Sequence, residues 1–218
     1  MLVHGIDEAG RGSCLGPLVL AGATFDEKDI QKLRELGVKD SKLLLPKQRE
    51  RLFEEIKKII KNYKILIIQP KEIDEAIDGN SNLNLNWLEA RKTAEILNEL
   101  ELDKAIIDCP SPNITAYKNY LKKLLIKEVD LIITHKAERF EAVAAASILA
   151  KVTRDSEIEK IKKEVGINFG SGYPSDERTV EFLEKHSSEF KNNGIFRKSW
   201  STWQENERKK EQKKLDGF

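Results

Sequence analysis

The sequence predicts an α/β fold built on a mixed sheet. Two observations carry that prediction. Three apolar runs, at residues 2–6, 18–25 and 63–69, fall in the first third of the chain. Two more, at 104–108 and 129–134, then alternate with segments of helical periodicity.

Taken in order, residues 2–6 form a short strand that ends in Asp7-Glu8. The stretch Ala9-Gly-Arg-Gly-Ser-Cys-Leu-Gly16-Pro17 is a turn, and 18–25 read as a buried strand leaving it. Residues 26–36 read as a helix with Asp26 as its N-cap. Pro46 suits a first helical residue, and Leu52, Phe53, Ile56, Ile59 and Ile60 keep helical spacing up to Lys61. Pro70 closes the strand at 63–69. Residues 83–100 form a long helix with Leu85, Leu88, Ala94, Ile96 and Leu97 among its apolar positions. Ser111-Pro112 is the N-cap and first-turn pair of a helix between the last two strands. Residues 140–165 form one extended helix, opened by Ala142, Ala144, Ala145 and Ala146, whose small side chains allow close packing. Residues 170–175 are a loop, and the helical, polar remainder carries a capping box at Thr202-x-x-Glu205.

A chain of 218 residues suits one domain with a modest appendage. With 39% hydrophobic and 34% charged residues, it reads as folded and highly charged, not disordered. No apolar stretch nears the ~18 residues needed to span a bilayer. Met1-Leu-Val-His-Gly-Ile-Asp-Glu8 lacks the basic start and apolar run of a signal peptide. Cys14 and Cys109 cannot make a disulfide framework, and no Cys/His set has zinc spacing. These features point to a reducing, cytoplasmic compartment with no membrane partner. A net charge of +1 provides no overall basic field, so any nucleic-acid partner must be met by local charge. The abundance of Lys, Glu and Ile fits either a densely ion-paired, heat-adapted surface or AT-rich codon usage.

The carboxylates are the informative feature. Asp7-Glu8 and Asp108 end apolar runs, and Glu138 lies just past another. Strand ends in α/β sheets are where loops can aim groups into one crevice. If the strands at 2–6, 104–108 and 129–134 are neighbours, Asp7, Asp108 and Glu138 converge. Clustered carboxylates repel unless a hard cation such as Mg²⁺ or Mn²⁺ neutralises them. Two such ions can activate water and steady the leaving oxygen of a phosphodiester. Each acid by itself reads rather as a solvated strand terminus or a helix cap, and only the acids together bring the metal site level with that reading. Asp7 and Glu8 are consecutive, so a regular strand sends them to opposite faces unless the chain bends at once, which Gly10 and Gly12 would permit.

Together these residues resemble the ribonuclease HII family, the type 2 ribonucleases H, in its compact archaeal form. Gly5-Ile-Asp-Glu-Ala-Gly-Arg-Gly12 with Gly16-Pro17 carries the likeness. Asp40-Ser41-Lys42, Ile107-Asp108, His135-Lys136-Ala137, Ala145-Ala-Ser-Ile-Leu-Ala-Lys151 and Gly172-Tyr173-Pro174 follow in the family's order. The match spans about residues 1–186. It implies an RNase H-like fold: a five-stranded mixed sheet flanked by helices, with a catalytic domain over 1–185 and a helical extension over 186–218. It also implies a monomeric, Mg²⁺- or Mn²⁺-dependent endonuclease. Its substrates would be RNA/DNA hybrids and duplex DNA with single embedded ribonucleotides, cut on the 5′ side to leave 3′-hydroxyl and 5′-phosphate ends.

By the same resemblance, Asp7, Glu8, Asp108 and Glu138 occupy the four metal-binding, catalytic positions. Glu138 departs from the usual Asp, and Glu141 is a fallback ligand. Gly10, Arg11 and Gly12 would approach the ribonucleotide and its 2′-hydroxyl, the group that distinguishes RNA. Tyr173 would sit against the following sugar, and Lys42 and Lys151 would contact phosphates. The bland readings are a plain tight turn, a half-buried core aromatic and surface lysines. Ser147 reads as a packing residue or a helix-internal hydroxyl and not as a nucleophile, and His135 as a proton shuttle, a phosphate holder or a structural strand-end side chain. From Lys185 onward nine Lys/Arg face five Asp/Glu, with Trp200 and Trp203 among them. That tail reads as a duplex-gripping element or as a helix docked by its tryptophans. A DNA-only nuclease of the same fold, a non-catalytic hybrid-binding module and a glycosidase using paired carboxylates are the competing functions.

Overall fold

The computed structural model describes residues 1–38, 44–78 and 83–215. Its residues fall into two compact units that interleave along the chain. The first comprises Met1–Ala9, Val19–Ile67 and Asn84–Thr153, and the second Gly10–Leu18, Ile68–Leu83 and Arg154–Phe218.

The first unit is organised on a five-stranded mixed sheet. Its strands are β1 (Leu2–Ala9), β2 (Leu18–Asp26), β3 (Asn62–Ile68), β4 (Lys104–Asp108) and β5 (Asp130–Thr134), in the order β3-β2-β1-β4-β5. β1 pairs antiparallel with β2 and parallel with β4, which pairs parallel with β5. The expected adjacency of the three site-bearing strands is therefore present. β1 is longer than its apolar run: Asp7, Glu8 and Ala9 all find partners on β2, ending at Ala9↔Val19.

Packing assigns the two faces of β1. The extended helix α6 (Glu141–Val165) lies so close that a Cβ on Gly5 would stand 2.2 Å from the Ala142 carbonyl carbon. Only glycine permits that approach, and Ala142, Ala144, Ala145 and Ala146, all buried, fill the seam with minimal volume. On the opposite face, a Cβ on Gly22 would meet His4 Nε2 and Ile96 Cγ2, each at 2.5 Å, and Ile96 belongs to α4 (Leu85–Glu99). With the period of two in a strand, odd residues of β1 face α6 and even ones face α4. The imidazole of His4 is buried against Thr24 Oγ1 (2.7 Å) and is held neutral, its pKa lowered to about 3 by burial and by Lys127.

Helix boundaries depart from the sequence reading where a cap was assigned to the wrong residue. Asp26 caps nothing: its carboxylate pairs with Lys61 at 3.0 Å, a 3₁₀ turn spans Glu27–Asp29, and α1 starts only at Ile30 (Ile30–Glu35). α2 runs Pro46–Ile59. α5 (Ile114–Leu124) is capped by Asn113, whose side chain accepts the Ala116 N–H at 3.0 Å, not by Ser111.

The second unit holds α3 (Pro70–Asp78), α7 (Glu177–His186), α8 (Ser201–Leu215) and a core that includes Cys14, Leu15, Phe169, Phe182, Phe196 and Trp203. Pro70 does not merely end a strand; it opens α3, a helix the sequence reading lacked. The capping box at Thr202 is absent, since α8 already begins at Ser201. Asp74 of α3 accepts hydrogen bonds from the Lys198 N–H (2.9 Å), the Ser199 N–H (3.0 Å) and Ser199 Oγ (2.6 Å). A carboxylate brought from another helix thus serves the approach to α8, and Thr202 lies inside that helix. Trp203 is buried against Phe196, with ring centroids 4.7 Å apart, which favours docking for this part of the tail. Both cysteines are buried thiols. Among the described residues no helix is long and apolar enough to cross a membrane.

Candidate active site

Asp7 and Asp108 stand side by side. Parallel pairing sets Ile6 against Ile107, so the next residue of each strand is an acid, at the C-terminal end of β4 and two residues short of that of β1. Asp7, on the odd face, accepts a hydrogen bond from Ser147 of α6 and, through Oδ1, from the Glu8 N–H at 2.8 Å. Burial, reinforced by the negative charge of Asp108, pushes the Asp7 carboxyl up to about 6, against the opposing pull of Ser147, the Glu8 amide and Lys151. Ser147, read from sequence as a packing residue, is therefore a direct partner of Asp7. The signal was available: Val143, Ser147 and Lys151 repeat every four residues along one face of α6, and the Val143 N–H lies beside the Ala142 carbonyl that is pressed against Gly5.

Asp108 Oδ1 also accepts the Ala137 N–H at 3.1 Å. Ala137 opens the 3₁₀ turn Ala137–Arg139, entered through a left-handed Lys136 (φ 55°), so Glu138 follows directly on a backbone contact to Asp108. Glu141 is not available as a fallback: it is buried and ion-paired to Arg34, at 2.7 Å to both Nε and Nη2. His135 Nδ1 is 3.1 Å from the Cys109 carbonyl oxygen, the contact of a structural strand-end histidine.

Glu8 takes the other face. The chain does not bend at once after it, and its charge acts on Tyr117 of α5 and on Cys109. Glu89 of α4, 1% exposed and not singled out from sequence, acts on the same two groups. Burial, with these charges, raises both Tyr117 and Cys109 above their ordinary values.

The donor set suits a hard divalent cation in its chemistry, being all carboxylate oxygen, with a buried acid whose ionisation a second acid opposes. Among the described residues, no three Asp, Glu, His or Cys side chains are drawn together as a ready-made coordination shell.

In the second unit, Gly10 and Gly12 differ. Gly10 has φ 86°, and a Cβ there would stand 2.8 Å from both Arg154 Nε and the Pro17 carbonyl oxygen, so the turn itself demands glycine. Gly12 is exposed, and a Cβ on it would meet nothing within 4 Å. Arg11 is half-buried, and the half-buried ring of Tyr173 is covered by the Arg154 guanidinium at 4.6 Å from its centroid. Lys42, like Asp40 and Ser41, lies outside the described residues.

A mixed sheet in this strand order, with acids at the ends of neighbouring parallel strands, defines an RNase H-like nuclease fold. The sequence pattern of the family described as Ribonuclease HII matches residues 4–203. A Ribonuclease HII of Pyrococcus horikoshii is 45% identical over 224 residues, covering 100% of this chain and 99% of the relative. The crystal structure of the ribonuclease H2 from Pyrococcus horikoshii OT3 superposes with a TM-score of 0.87 at 44% identity, over 96% of this chain and 98% of that one. The PCNA:RNase HII complex from Archaeoglobus fulgidus matches with a TM-score of 0.83 at 38% identity, over 92% of this chain and 96% of that one. The chain belongs to the ribonuclease HII family. It is an endoribonuclease of ribonuclease H type 2, a metal-dependent hydrolase with RNA/DNA hybrids as its substrate class.

Proposed function

We propose that this enzyme also cuts duplex DNA on the 5′ side of a single embedded ribonucleotide. The P–O3′ bond breaks, leaving 3′-hydroxyl and 5′-phosphate ends. The observation that carries the reading is Gly12, whose glycine nothing in the protein requires. A glycine where a side chain has room fits a backbone that a ligand approaches closely. The 2′-hydroxyl is the group such an approach would read. Arg11 and Lys151 then serve the phosphates, Tyr173 the following sugar, and Lys42 a phosphate by resemblance.

Asp7 and Asp108, with Glu138, would hold Mg²⁺ or Mn²⁺; Glu8, on the other face of β1, keeps a ligand role by resemblance alone. The bound ion would supply a water of lowered pKa and offset charge on the scissile phosphodiester. The protein's own share is preorganisation. Ser147 fixes the Asp7 carboxylate, and the Ala137 amide fixes that of Asp108. Lys151 supplies positive charge near Asp7. The test incubates the enzyme with Mg²⁺ or Mn²⁺ and an end-labelled duplex carrying one ribonucleotide. One cut at its 5′ side, with ends that a ligase and a polymerase accept, is the expected result. Cleavage of hybrids alone would reject the reading.

A further inference from the structure

We infer that Arg197 is a positioning residue for the turn proposed to read the ribonucleotide, and that with Arg154 it forms a buried cationic base under that turn. The inference rests on the proposed substrate reading and concerns a residue well outside the turn in sequence.

Arg197 is completely buried, yet its contacts are with the turn. Nε donates to the Gly16 carbonyl and Nη1 to the Arg11 carbonyl, both at 3.0 Å, so one planar fork grips the segment at two points. The backbone beside it adds to the grip: the Arg197 N–H donates to the Cys14 carbonyl (3.1 Å), the Gly16 N–H to that of Ile195 (2.9 Å), and Leu15 bridges to Phe196. Arg154, also buried, donates through Nη2 to the Ser171 carbonyl (2.6 Å), covers the Tyr173 ring and occupies the space a Gly10 side chain would need. Two guanidiniums thus touch Gly10, Arg11, Gly16 and Tyr173.

A purely structural clasp would not be built this way. Arg154 Nε and Arg197 Nη2 are buried without a hydrogen-bond partner; Arg154 Nη1 stands 3.9 Å from the half-exposed Asp155 carboxylate, whereas Arg197 has no carboxylate bonded to it among the described residues. Unpaired buried charge is costly, and a neutral donor would hold the same carbonyls with less desolvation. Burial and the neighbouring Arg154 lower the Arg197 guanidinium only to about 10, so it stays cationic at neutral pH. What the charge adds is positive potential directly under a turn meant to receive a phosphodiester, together with a fixed carbonyl orientation at Arg11.

The experiment measures kcat and KM of the full chain for a duplex with one ribonucleotide. It compares wild type with Arg197→Met, Arg197→Lys and Arg154→Lys, well below each protein's Tm. Arg197→Met should raise KM about tenfold while kcat falls by less than about threefold. Arg197→Lys, which keeps charge but loses the fork, should fall between. If Arg197→Met does not fold, the two lysine variants decide, each with KM raised about threefold or more. An unchanged KM in the variants that fold, or a loss confined to kcat, overturns the inference. A wild type that fails to cut this duplex, while cutting an RNA/DNA hybrid, overturns instead the substrate reading beneath it.

Discussion

Asp7 and Glu8, adjacent in β1, leave the sheet on opposite faces. Asp7 meets Ser147, Lys151 and Asp108, whereas Glu8 acts on Tyr117 and Cys109. Burial and the charge of Asp108 oppose the ionisation of Asp7 without a cation, and its behaviour with pH follows from that.

The Asp7 carboxyl is raised from 3.8 to about 6, so the folded chain binds its proton more tightly than the unfolded chain. Its contribution to stability is complete below about pH 4 and is lost as pH rises through about 6. Asp7→Asn removes the charge and should stabilise the metal-free protein by on the order of 1–3 kcal/mol at pH 7.5, with almost no effect at pH 4. Urea midpoints of both proteins at the two pH values check this. His4 works in the opposite sense, since its neutral form is favoured and stability falls as pH drops from 6.5 toward about 3. The comparison must therefore be variant against wild type at each pH.

Gly10→Ala and Gly12→Ala should separate. At Gly10 the positive φ and the contacts at 2.8 Å predict a loss of about 1–3 kcal/mol. At Gly12, stability should change by less than about 0.5 kcal/mol while KM for a ribonucleotide-containing duplex rises severalfold. Thermal melts and steady-state kinetics on the two variants settle both halves.

Gly5→Ala should be among the most damaging single substitutions in the first unit. Its methyl would stand 2.2 Å from backbone atoms of Ala142, so α6 must move off β1 and carry Ser147 and Lys151 with it. A loss of about 3 kcal/mol or more is expected, with reduced kcat in the protein that still folds.

Glu138→Asp should keep or raise activity, whereas Glu138→Ala should lower kcat by about a hundredfold or more if the carboxylate serves the cation. Activity unmoved by either substitution would take Glu138 out of the mechanism.

β1, β2, β4 and the opening of α6 were legible because their apolar runs are largely buried, whereas β3 and β5, mostly half-buried or exposed, were legible from their β-branched composition. The convergence of Asp7 and Asp108 followed once β1 and β4 were taken as neighbours. Part of what escaped depends on partners remote in sequence. α3 is short, but Ile73, Ala76 and Ile77 keep helical spacing behind Pro70, a signal missed by reading Pro70 only as the end of a strand. The cap assigned to Asp26 failed because its carboxylate pairs with Lys61, and that assigned to Thr202 because α8 already begins at Ser201. Ser147 looked like filler since its worth lies in a hydrogen bond across the seam that Gly5 keeps narrow. Arg197 carried no local signal at all, because its two carbonyl partners sit 181 and 186 residues away.

The most direct measurement is single-turnover cleavage of a one-ribonucleotide duplex by wild type and Asp108→Asn, with Mn²⁺ present and after its removal by chelation. Rapid cutting by wild type that stops on chelation and returns with Mn²⁺, beside an Asp108→Asn protein with a native circular dichroism spectrum and a rate at least about a thousandfold lower, is the predicted result. An Asp108→Asn enzyme that cuts at the wild-type rate, or a wild type indifferent to the chelator, would contradict it.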